Sequence, residues 1–307
     1  MNRIRVLGLV LMYYALSLSL GYLTSFLLSK RTYNFSFPLF KASMQNLIHF
    51  FGASTVLRLQ KEKAPKPNYF GPSLPCALAG ATDIGLSSIS LRFTTLAFYT
   101  MVKSSSPVFI LLFGFALGIE KPSITFFLTI FTIGVGVFLT SIKNTSFDII
   151  GFGTISVASL MAGFRWAFVQ YLVRNQDVQK EGVFVTMRDL CLPISFLLLL
   201  ISLHVEGLME IVTSRFFNTF DAALRNFGYI SLCGALSFML LCAEFTLVSE
   251  TGVVFLSIAG IVKELIIISY AIITKDIALS NLNYVGLTIS IAGILIYNFS
   301  RKPLSPH

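Results

Sequence analysis

The sequence predicts an all-α polytopic membrane protein, with ten transmembrane helices built as a 5+5 inverted repeat. Of its 307 residues, 55% are hydrophobic and only 12% are charged, about half the charged share of a soluble globular chain. Apolar stretches of about 20 residues, the length that crosses a bilayer, recur from one end of the chain to the other. Too few polar residues remain to cover a water-soluble fold, so that class is excluded.

The individual helices are predicted from these apolar stretches and from the short polar connections between them. The predicted spans are 6–28, 37–57, 70–90, 94–118, 124–141, 148–172, 186–205, 226–248, 251–273 and 282–299. Two connections are longer, the basic stretch 58–68 and the segment 206–225. The first apolar run is too long for a signal-peptide core, so it is predicted to be the first span.

The charge distribution predicts the orientation in the membrane. The net charge is +9, from 23 Lys and Arg against 14 Asp and Glu. These basic residues lie in short loops or singly inside apolar segments, so a groove for nucleic acid is not predicted. An even number of spans puts both termini on one side, and loops on that side hold more Lys and Arg. Because cytosolic loops retain basic residues, both termini are predicted to be cytosolic.

No cofactor, metal site or catalytic centre is predicted. The cysteines all fall in apolar stretches without a CxxC spacing, which predicts free buried thiols: Cys76, Cys191, Cys233 and Cys242. The histidines are scattered, at His49, His204 and His307, and no DxD motif occurs. A membrane glycosyltransferase, which would need such a metal site, is therefore not favoured, and the chain is predicted not to be an enzyme.

Short sequence matches relate the two halves of the chain. Asp83 precedes Lys103 by 20 residues in the first half, and Glu244 precedes Lys263 by 19 residues in the second. Predicted spans 2 and 7 match through FPLFK and FVTMR, and spans 5 and 10 match through glycine-containing strings. The four pairs occur in the same order in both halves, which predicts an internal repeat.

Five spans in each half give the repeat an inverted orientation. Because five is odd, the repeats 1–145 and 146–307 would enter the membrane from opposite sides, within a single membrane domain. This arrangement is typical of alternating-access transporters, whose substrate site lies near the midplane at the repeat interface.

Lys103 and Lys263 are charged residues near the middle of their predicted spans. A charge there costs about 2.5–3.5 kcal/mol on insertion scales, so each lysine needs a physical reason. One interpretation is that both ammonium groups meet at a central cavity and bind phosphate or diphosphate. The other is a pair of structural ion pairs, Lys103 with Asp83 and Lys263 with Glu244 or Glu264. The two interpretations are compatible if the carboxylates neutralise the lysines in the empty carrier and the substrate displaces them.

The residues around Lys103 predict an irregular helix. Pro107 has no N–H, so the Lys103 carbonyl loses its helical partner, and the serines at 104–106 can satisfy freed backbone groups. Tyr99, one turn earlier on the same face, could bond a phosphate or pack as an ordinary aromatic residue.

Other charged residues inside the spans have less specific interpretations. Arg165, beside the single tryptophan Trp166, could bind phosphate or hold its span to Glu244, and the structural role is favoured. Three residues near span ends are expected to snorkel to the membrane surface: Lys41, Arg188 and Asp189.

The strings YTMVKSSSPVF, GFRWAFVQ and SIAGIVKE, in this order, resemble the triose-phosphate/nucleotide-sugar transporter family of the drug/metabolite transporter superfamily. The likeness is greatest to the solute carrier family 35 member C2 type, a GDP-fucose-transporter-like branch, and to fungal transporters of that group. The resemblance implies the drug/metabolite transporter fold and a Golgi or endoplasmic reticulum membrane.

The resemblance also assigns roles to individual positions. Lys103 and Lys263 match lysines that hold the substrate phosphate in plastid phosphate translocators. Glu264 stands where those proteins have arginine, which disfavours a small, highly charged sugar phosphate. Val262 replaces the asparagine of GDP-mannose carriers, and Gln45 stands where many relatives have histidine.

The expected function is a secondary antiporter that moves a nucleotide-sugar or related phosphorylated sugar across a secretory-pathway membrane by alternating access. The exchanged partner would be a nucleoside monophosphate or phosphate, and a homodimer is left open. The substrate-binding residues are expected to be Lys103, Lys263, Tyr99, Arg165 and Glu264, with Asp83 and Glu244 balancing charge. Two alternatives are a sugar-phosphate or phosphoenolpyruvate translocator and a non-transporting regulator of glycosylation.

Overall fold

The computed structural model describes most of the chain, and the statements below concern the described residues only. These are 3–28, 32–60, 66–69, 71, 73–90, 93, 99, 102–103, 105–119, 128, 131–132, 135–136, 139, 149–174, 182–253, 255–256, 259–260, 262–263 and 281–300.

Helices are the regular structure of these residues, as the composition predicts. The helices are α1 (Arg3–Leu28), α2 (Pro38–Leu59), α3 (Leu74–Ser90), α4 (Ser106–Ala116), α5 (Ile149–Arg174), α6 (Gly182–Ser202), α7 (Leu208–Thr213), α8 (Phe220–Thr251) and α9 (Asn281–Ser300). A π-helical turn, Leu203–Gly207, joins α6 to α7. No strand occurs among the described residues, so the all-α prediction is confirmed for this part of the chain.

Four apolar helical stretches are long enough to cross a membrane: Ile4–Leu28, Ile149–Leu172, Val183–Thr213 and Phe220–Thr251. They coincide with predicted spans 1, 6, 7 and 8. Helix α2 has 22 residues and would extend about 33 Å at 1.5 Å per residue, although polar residues lower its hydropathy. Most of predicted spans 5 and 9 and a smaller part of span 4 lie outside the described residues, and the count of ten helices remains a prediction.

The chain divides into two compact units. Unit 1 comprises Met1–Ser88 and Val169–Gly252, and unit 2 comprises Ile89–Phe168 and Val253–His307. Each unit therefore combines residues from both predicted repeats. The repeat boundaries at 1–145 and 146–307 stay a prediction.

In unit 1, α2 and α6 pack against each other in opposite directions. The Ser43 hydroxyl donates to the Ser195 carbonyl at 2.8 Å, and the Ser195 hydroxyl donates to the Ser43 carbonyl at 2.9 Å. Nearer the start of α2, the Leu39 N–H donates to Glu206, beyond the end of α6. An antiparallel pair is what an inverted repeat requires of predicted spans 2 and 7.

Helix α1 is likewise antiparallel to α8 in unit 1. The Arg5 guanidinium, near the start of α1, pairs with the Glu250 carboxylate near the end of α8 at 3.0 Å. Between α2 and α8, a Cβ atom added to Gly234 would lie 2.4 Å from the Ile48 side chain. Glycine thus permits a close approach of these two helices.

The predicted connection 206–225 is an ordered part of unit 1. Buried apolar residues from this segment, from the chain before α2 and from α8 form one cluster: Phe35, Phe37, Ile211, Phe216 and Ile230. The buried Asn226 side chain donates to the Phe216 carbonyl at 3.0 Å and accepts from the Tyr33 hydroxyl at 2.8 Å. These contacts hold both chain segments against the start of α8.

In unit 2, α4 and α5 cross at Gly163. A Cβ atom at this position would lie 2.4 Å from the Phe109 Cβ atom and 2.8 Å from the Ile110 nitrogen. Only a residue without a side chain allows this approach, which is a common device between membrane helices. The rings of Phe113 and Phe164 pack edge to face beside the crossing, with centroids 5.2 Å apart.

Candidate anion-binding site

Lys103 lies at a break between two helical segments of unit 2. Val102 and Lys103 are helical, and α4 begins only at Ser106. The Ser106 hydroxyl donates to the Lys103 carbonyl at 2.7 Å, and the Ser105 hydroxyl donates to the Val102 carbonyl at 2.7 Å. The prediction that a serine satisfies the carbonyl freed by Pro107 is therefore confirmed for Ser106, whereas the Val102 carbonyl also accepts from the Ser105 N–H at 3.0 Å.

The break matters because it interrupts the helix next to a residue with a charged side chain. Lys103 is half-buried. Interrupted helices at membrane depth are tolerated where they are buried in protein or line a cavity, and many transporters bind their substrates at such points. The local structure around Lys103 is therefore suited to presenting an ammonium group to a ligand.

Tyr99 lies one turn before Lys103 and is half-buried. Together with Phe152 it packs against the buried residues Val102 and Ile155, so its ring helps to hold this segment against α5. This contact fits the ordinary aromatic role that was one of the two expectations. A hydrogen bond from its hydroxyl to a phosphate stays a prediction.

Arg165 lies on α5 and is half-buried. Its guanidinium carbon is 4.8 Å from the centroid of the Trp166 ring, within the range of a cation–π contact. The contact places the guanidinium beside the Trp166 ring. The roles predicted for Arg165, phosphate binding or attachment to Glu244, remain predictions.

The second predicted lysine, Lys263, is helical and half-buried. Its neighbour Glu264 lies outside the described residues. The predicted residues divide between the units: Tyr99, Lys103, Arg165 and Lys263 belong to unit 2, and Asp83 and Glu244 belong to unit 1. One unit therefore holds the predicted cationic and aromatic substrate contacts, and the other holds both predicted charge-balancing carboxylates.

The two carboxylates differ in their surroundings. Asp83, in α3, is 5% exposed and accepts a hydrogen bond from the Ser87 hydroxyl at 3.4 Å. Glu244, in α8, is half-buried. The predicted ion pairs of these residues with Lys103 and Lys263 stay predictions.

The expectation that the charged residues near span ends snorkel was wrong. Lys41, Arg188 and Asp189 are only 5%, 6% and 5% exposed. Arg188 Nε donates to Asp189 Oδ1 at 2.8 Å, and the Asn68 N–H donates to Asp189 Oδ2 at 3.2 Å. Each residue lies on a helix face that is covered by neighbouring elements, so its side chain is buried in protein and not extended away from it.

Glu206 is a buried carboxylate at the start of the predicted connection 206–225. It is 3% exposed and accepts hydrogen bonds from Leu39 N at 2.7 Å, Phe40 N at 2.9 Å and the Ser202 hydroxyl at 2.7 Å. The carboxylate thereby satisfies N–H groups at the start of α2. Pro38, at the first position of that helix, marks the start that needs such an acceptor.

His49 is a second buried polar residue of α2. It is 7% exposed, and its Nε2 atom lies 2.7 Å from the Ser237 hydroxyl of α8. The described residues contain no cluster of three or more metal-ligating side chains. We therefore assign His49 to the packing of α2 against α8.

Comparisons with known proteins identify relatives of this chain. The Arabidopsis thaliana protein named "Probable sugar phosphate/phosphate translocator At1g06470" is 35% identical over 234 residues, which cover 76% of this chain and 56% of that protein. The Saccharomyces cerevisiae protein named "Putative nucleotide-sugar transporter YMD8" is 30% identical over 294 residues, with 74% and 66% covered. This chain thus spans 56% and 66% of the length of these relatives.

The fold and the family are shown by two further matches. A crystal structure of a protein with 13% sequence identity superposes with a TM-score of 0.62, covering 96% of this chain and 99% of that one. At this identity the match shows similarity of fold alone. A model of the Triose-phosphate Transporter family matches residues 4–298. Together with its long apolar helices, this match shows that the chain is an integral membrane protein of the Triose-phosphate Transporter family.

Proposed function

We propose that the protein is an antiporter that exchanges a nucleotide-sugar for the matching nucleoside monophosphate across a secretory-pathway membrane. The observation that carries the proposal is the position of Lys103. It is half-buried at a helix break, where the Ser106 hydroxyl donates to its main-chain carbonyl. Lys263, its counterpart in the predicted repeat, belongs to the same unit. Two ammonium groups suit the two phosphates of a nucleoside diphosphate sugar.

The transport cycle needs no covalent chemistry from the protein. Lys103 and Lys263 anchor the phosphates, Arg165 and Tyr99 are secondary contacts, and Glu264 disfavours small substrates of high negative charge. In the empty carrier, Asp83 and Glu244 neutralise the two lysines. Exchange follows if either ligand stabilises the occluded state relative to the open states, while the empty carrier crosses slowly.

The architecture supports alternating access between two inverted five-helix repeats, 1–145 and 146–307. The antiparallel packing of α2 on α6 has the relative direction that such repeats require. Both termini are proposed to be cytosolic because the loops on that side are richer in Lys and Arg. The Golgi or endoplasmic reticulum location rests on the resemblance described above.

A second candidate function is exchange of a sugar phosphate for phosphate. The Arabidopsis relative, at 35% identity, carries that activity in its name. The same lysines would then bind a single phosphate group. The two candidates differ in whether a nucleoside contributes to binding, which ligand binding can measure directly.

The decisive experiment is a thermal-shift screen of the purified protein against nucleotide-sugars, nucleoside monophosphates, sugar phosphates and inorganic phosphate. A ligand at 100 times its Kd stabilises the protein by about 2.7 kcal/mol. The screen is repeated on Lys103→Ala and Lys263→Ala, with Lys66→Ala, an exposed loop lysine, as the matched control. Hits are then tested for exchange in liposomes preloaded with the candidate counter-substrate.

The outcomes separate the candidates. Stabilisation and exchange with one nucleotide-sugar and its monophosphate, lost in both lysine variants and kept in Lys66→Ala, support the proposal. Stabilisation by sugar phosphates and inorganic phosphate alone supports the second candidate. A folded protein that no ligand stabilises contradicts both and favours a regulatory role, with the lysines in structural ion pairs.

A further inference from the structure

Lys41 is a buried cation without a carboxylate partner among the described residues. Lys41 is 5% exposed. Among the described residues its ammonium group has one hydrogen-bond partner, the Thr24 hydroxyl of α1 at 3.3 Å. The buried thiol of Cys233, in α8, is its other polar neighbour. A protonated lysine held by neutral groups alone is unfavourable at membrane depth, so the site is suited to receive an anion.

Glu206, the carboxylate that binds the start of α2, is already engaged. Glu206 accepts hydrogen bonds from the N–H groups of Leu39 and Phe40 and from the Ser202 hydroxyl. No ion pair joins it to Lys41 among the described residues. The N–H groups of Leu39 and Phe40 thus bind a carboxylate, whereas the described residues supply none to the ammonium group of the next residue, Lys41.

Arg188 provides an internal comparison, because FPLFK and FVTMR make it the predicted repeat counterpart of Lys41. Arg188 is just as buried, but the next residue, Asp189, neutralises it at 2.8 Å. The residue after Lys41 is Ala42. The described residues thus supply a fixed anion for Arg188 and none for Lys41, and a mobile anion can fill that role there.

We infer that Lys41 and Thr24 form an anion subsite in unit 1 that binds a phosphate group of the transported solute. This inference rests on the proposed function, and the subsite lies within unit 1. The ammonium group supplies the charge, and the Thr24 hydroxyl can turn to donate to the same phosphate. Because Lys41 is covered by neighbouring helices, the ligand chemistry that we infer is a solute phosphate ester or inorganic phosphate.

The test uses the full-length protein and three variants at this subsite. Lys41→Gln removes the charge and keeps a donor for Thr24, Lys41→Arg keeps the charge, and Thr24→Val removes the hydroxyl. Arg58→Gln, an exposed cation on the same helix, is the matched control. The readouts are the Tm without ligand and the Kd for inorganic phosphate, nucleoside monophosphates and nucleotide-sugars.

We expect Lys41→Gln to raise the Kd of the bound phosphate ligands by at least tenfold, and Thr24→Val by a smaller factor. Lys41→Arg and Arg58→Gln should stay within threefold of the wild type. The ligand-free Tm of Lys41→Gln should not fall, because the variant removes an uncompensated buried charge. A lower ligand-free Tm with an unchanged Kd would show a purely structural lysine and overturn the inference.

Binding measurements on the lysine variants of both units distinguish failure of this inference from failure of the proposed function. If Lys103→Ala and Lys263→Ala abolish binding while Lys41→Gln binds normally, the proposed function stands and the Lys41 subsite is rejected. A wild-type protein that binds none of these ligands overturns both. If Lys41→Gln weakens the binding of inorganic phosphate alone, the subsite is supported and its ligand is the free ion.

Discussion

The Ser106 hydroxyl donates a hydrogen bond of 2.7 Å to the main-chain carbonyl of Lys103. This hydrogen bond satisfies the Lys103 carbonyl, which has no helical N–H partner because residue 107 is proline. It therefore links the stability of the break to the position of the lysine proposed to bind phosphate. Its removal can be separated from general helix damage, because Ser105 makes an equivalent bond to the Val102 carbonyl.

We predict that Ser106→Ala lowers the unfolding free energy by about 1 kcal/mol, the usual contribution of one such hydrogen bond. It should also weaken the binding of the phosphate ligand, because the Lys103 backbone loses its fixed position. Ser105→Ala is the matched control and should lose similar stability with a smaller change in Kd. Equal effects of both variants on Kd would contradict a specific role for the Lys103 carbonyl. Thermal unfolding and ligand titration in detergent provide both readouts.

We predict that Glu206→Gln destabilises the protein by about 1–3 kcal/mol, because a buried carboxylate that accepts three hydrogen bonds is replaced by a group with one acceptor. The new amide would place its own donors against the N–H groups of Leu39 and Phe40. Glu210→Gln, an exposed carboxylate in the same segment, should stay close to the wild-type Tm. Equal Tm values for the two variants would show that the start of α2 does not depend on this carboxylate.

We predict that Asp189→Ala destabilises the protein by about 3–5 kcal/mol, because it leaves the buried Arg188 guanidinium without its charge partner. Arg188→Met in the same background should recover part of this loss. A double-mutant cycle measured by thermal unfolding gives the coupling energy of the pair. Additive effects of the two substitutions would show that the pair contributes no net coupling.

We predict opposite effects for alanine at two glycines of α5. Gly163→Ala should destabilise unit 2 by about 1–3 kcal/mol, because the new methyl group overlaps Phe109 and its backbone. Gly153, which has no atom within 4 Å of the added Cβ, should gain up to about 1 kcal/mol on substitution from helix propensity. Parallel Tm measurements test both, and a stable Gly163→Ala would contradict the close α4–α5 crossing.

Several features could be predicted from the sequence because they depend on local chemistry. Apolar segments mark four membrane-spanning helical stretches, since hydropathy and length alone decide which segments can cross a bilayer. The serine contacts before α4 were also predictable, because the missing N–H of proline and the reach of a neighbouring hydroxyl are local properties.

The surroundings of the charged residues could not be predicted in this way. Lys41, Arg188 and Asp189 lie near span ends, where a long side chain can usually reach the interface. Whether it does so depends on which helices cover that face, and here the neighbouring elements bury all three residues. The burial of Lys41 without a described carboxylate partner is the basis of the proposed anion subsite, and hydropathy does not reveal it.

Residues close together in the chain are thus enough to predict the membrane class, the family resemblance and the serine contact beside Lys103. Only the fold brings Glu206 to the start of α2, a contact across 167 residues, and places the Thr24 hydroxyl beside Lys41, for which the described residues supply no carboxylate partner. The physical reason is that a buried charge is stabilised by the groups packed around it. Those groups come from distant helices, whose arrangement a local pattern does not encode.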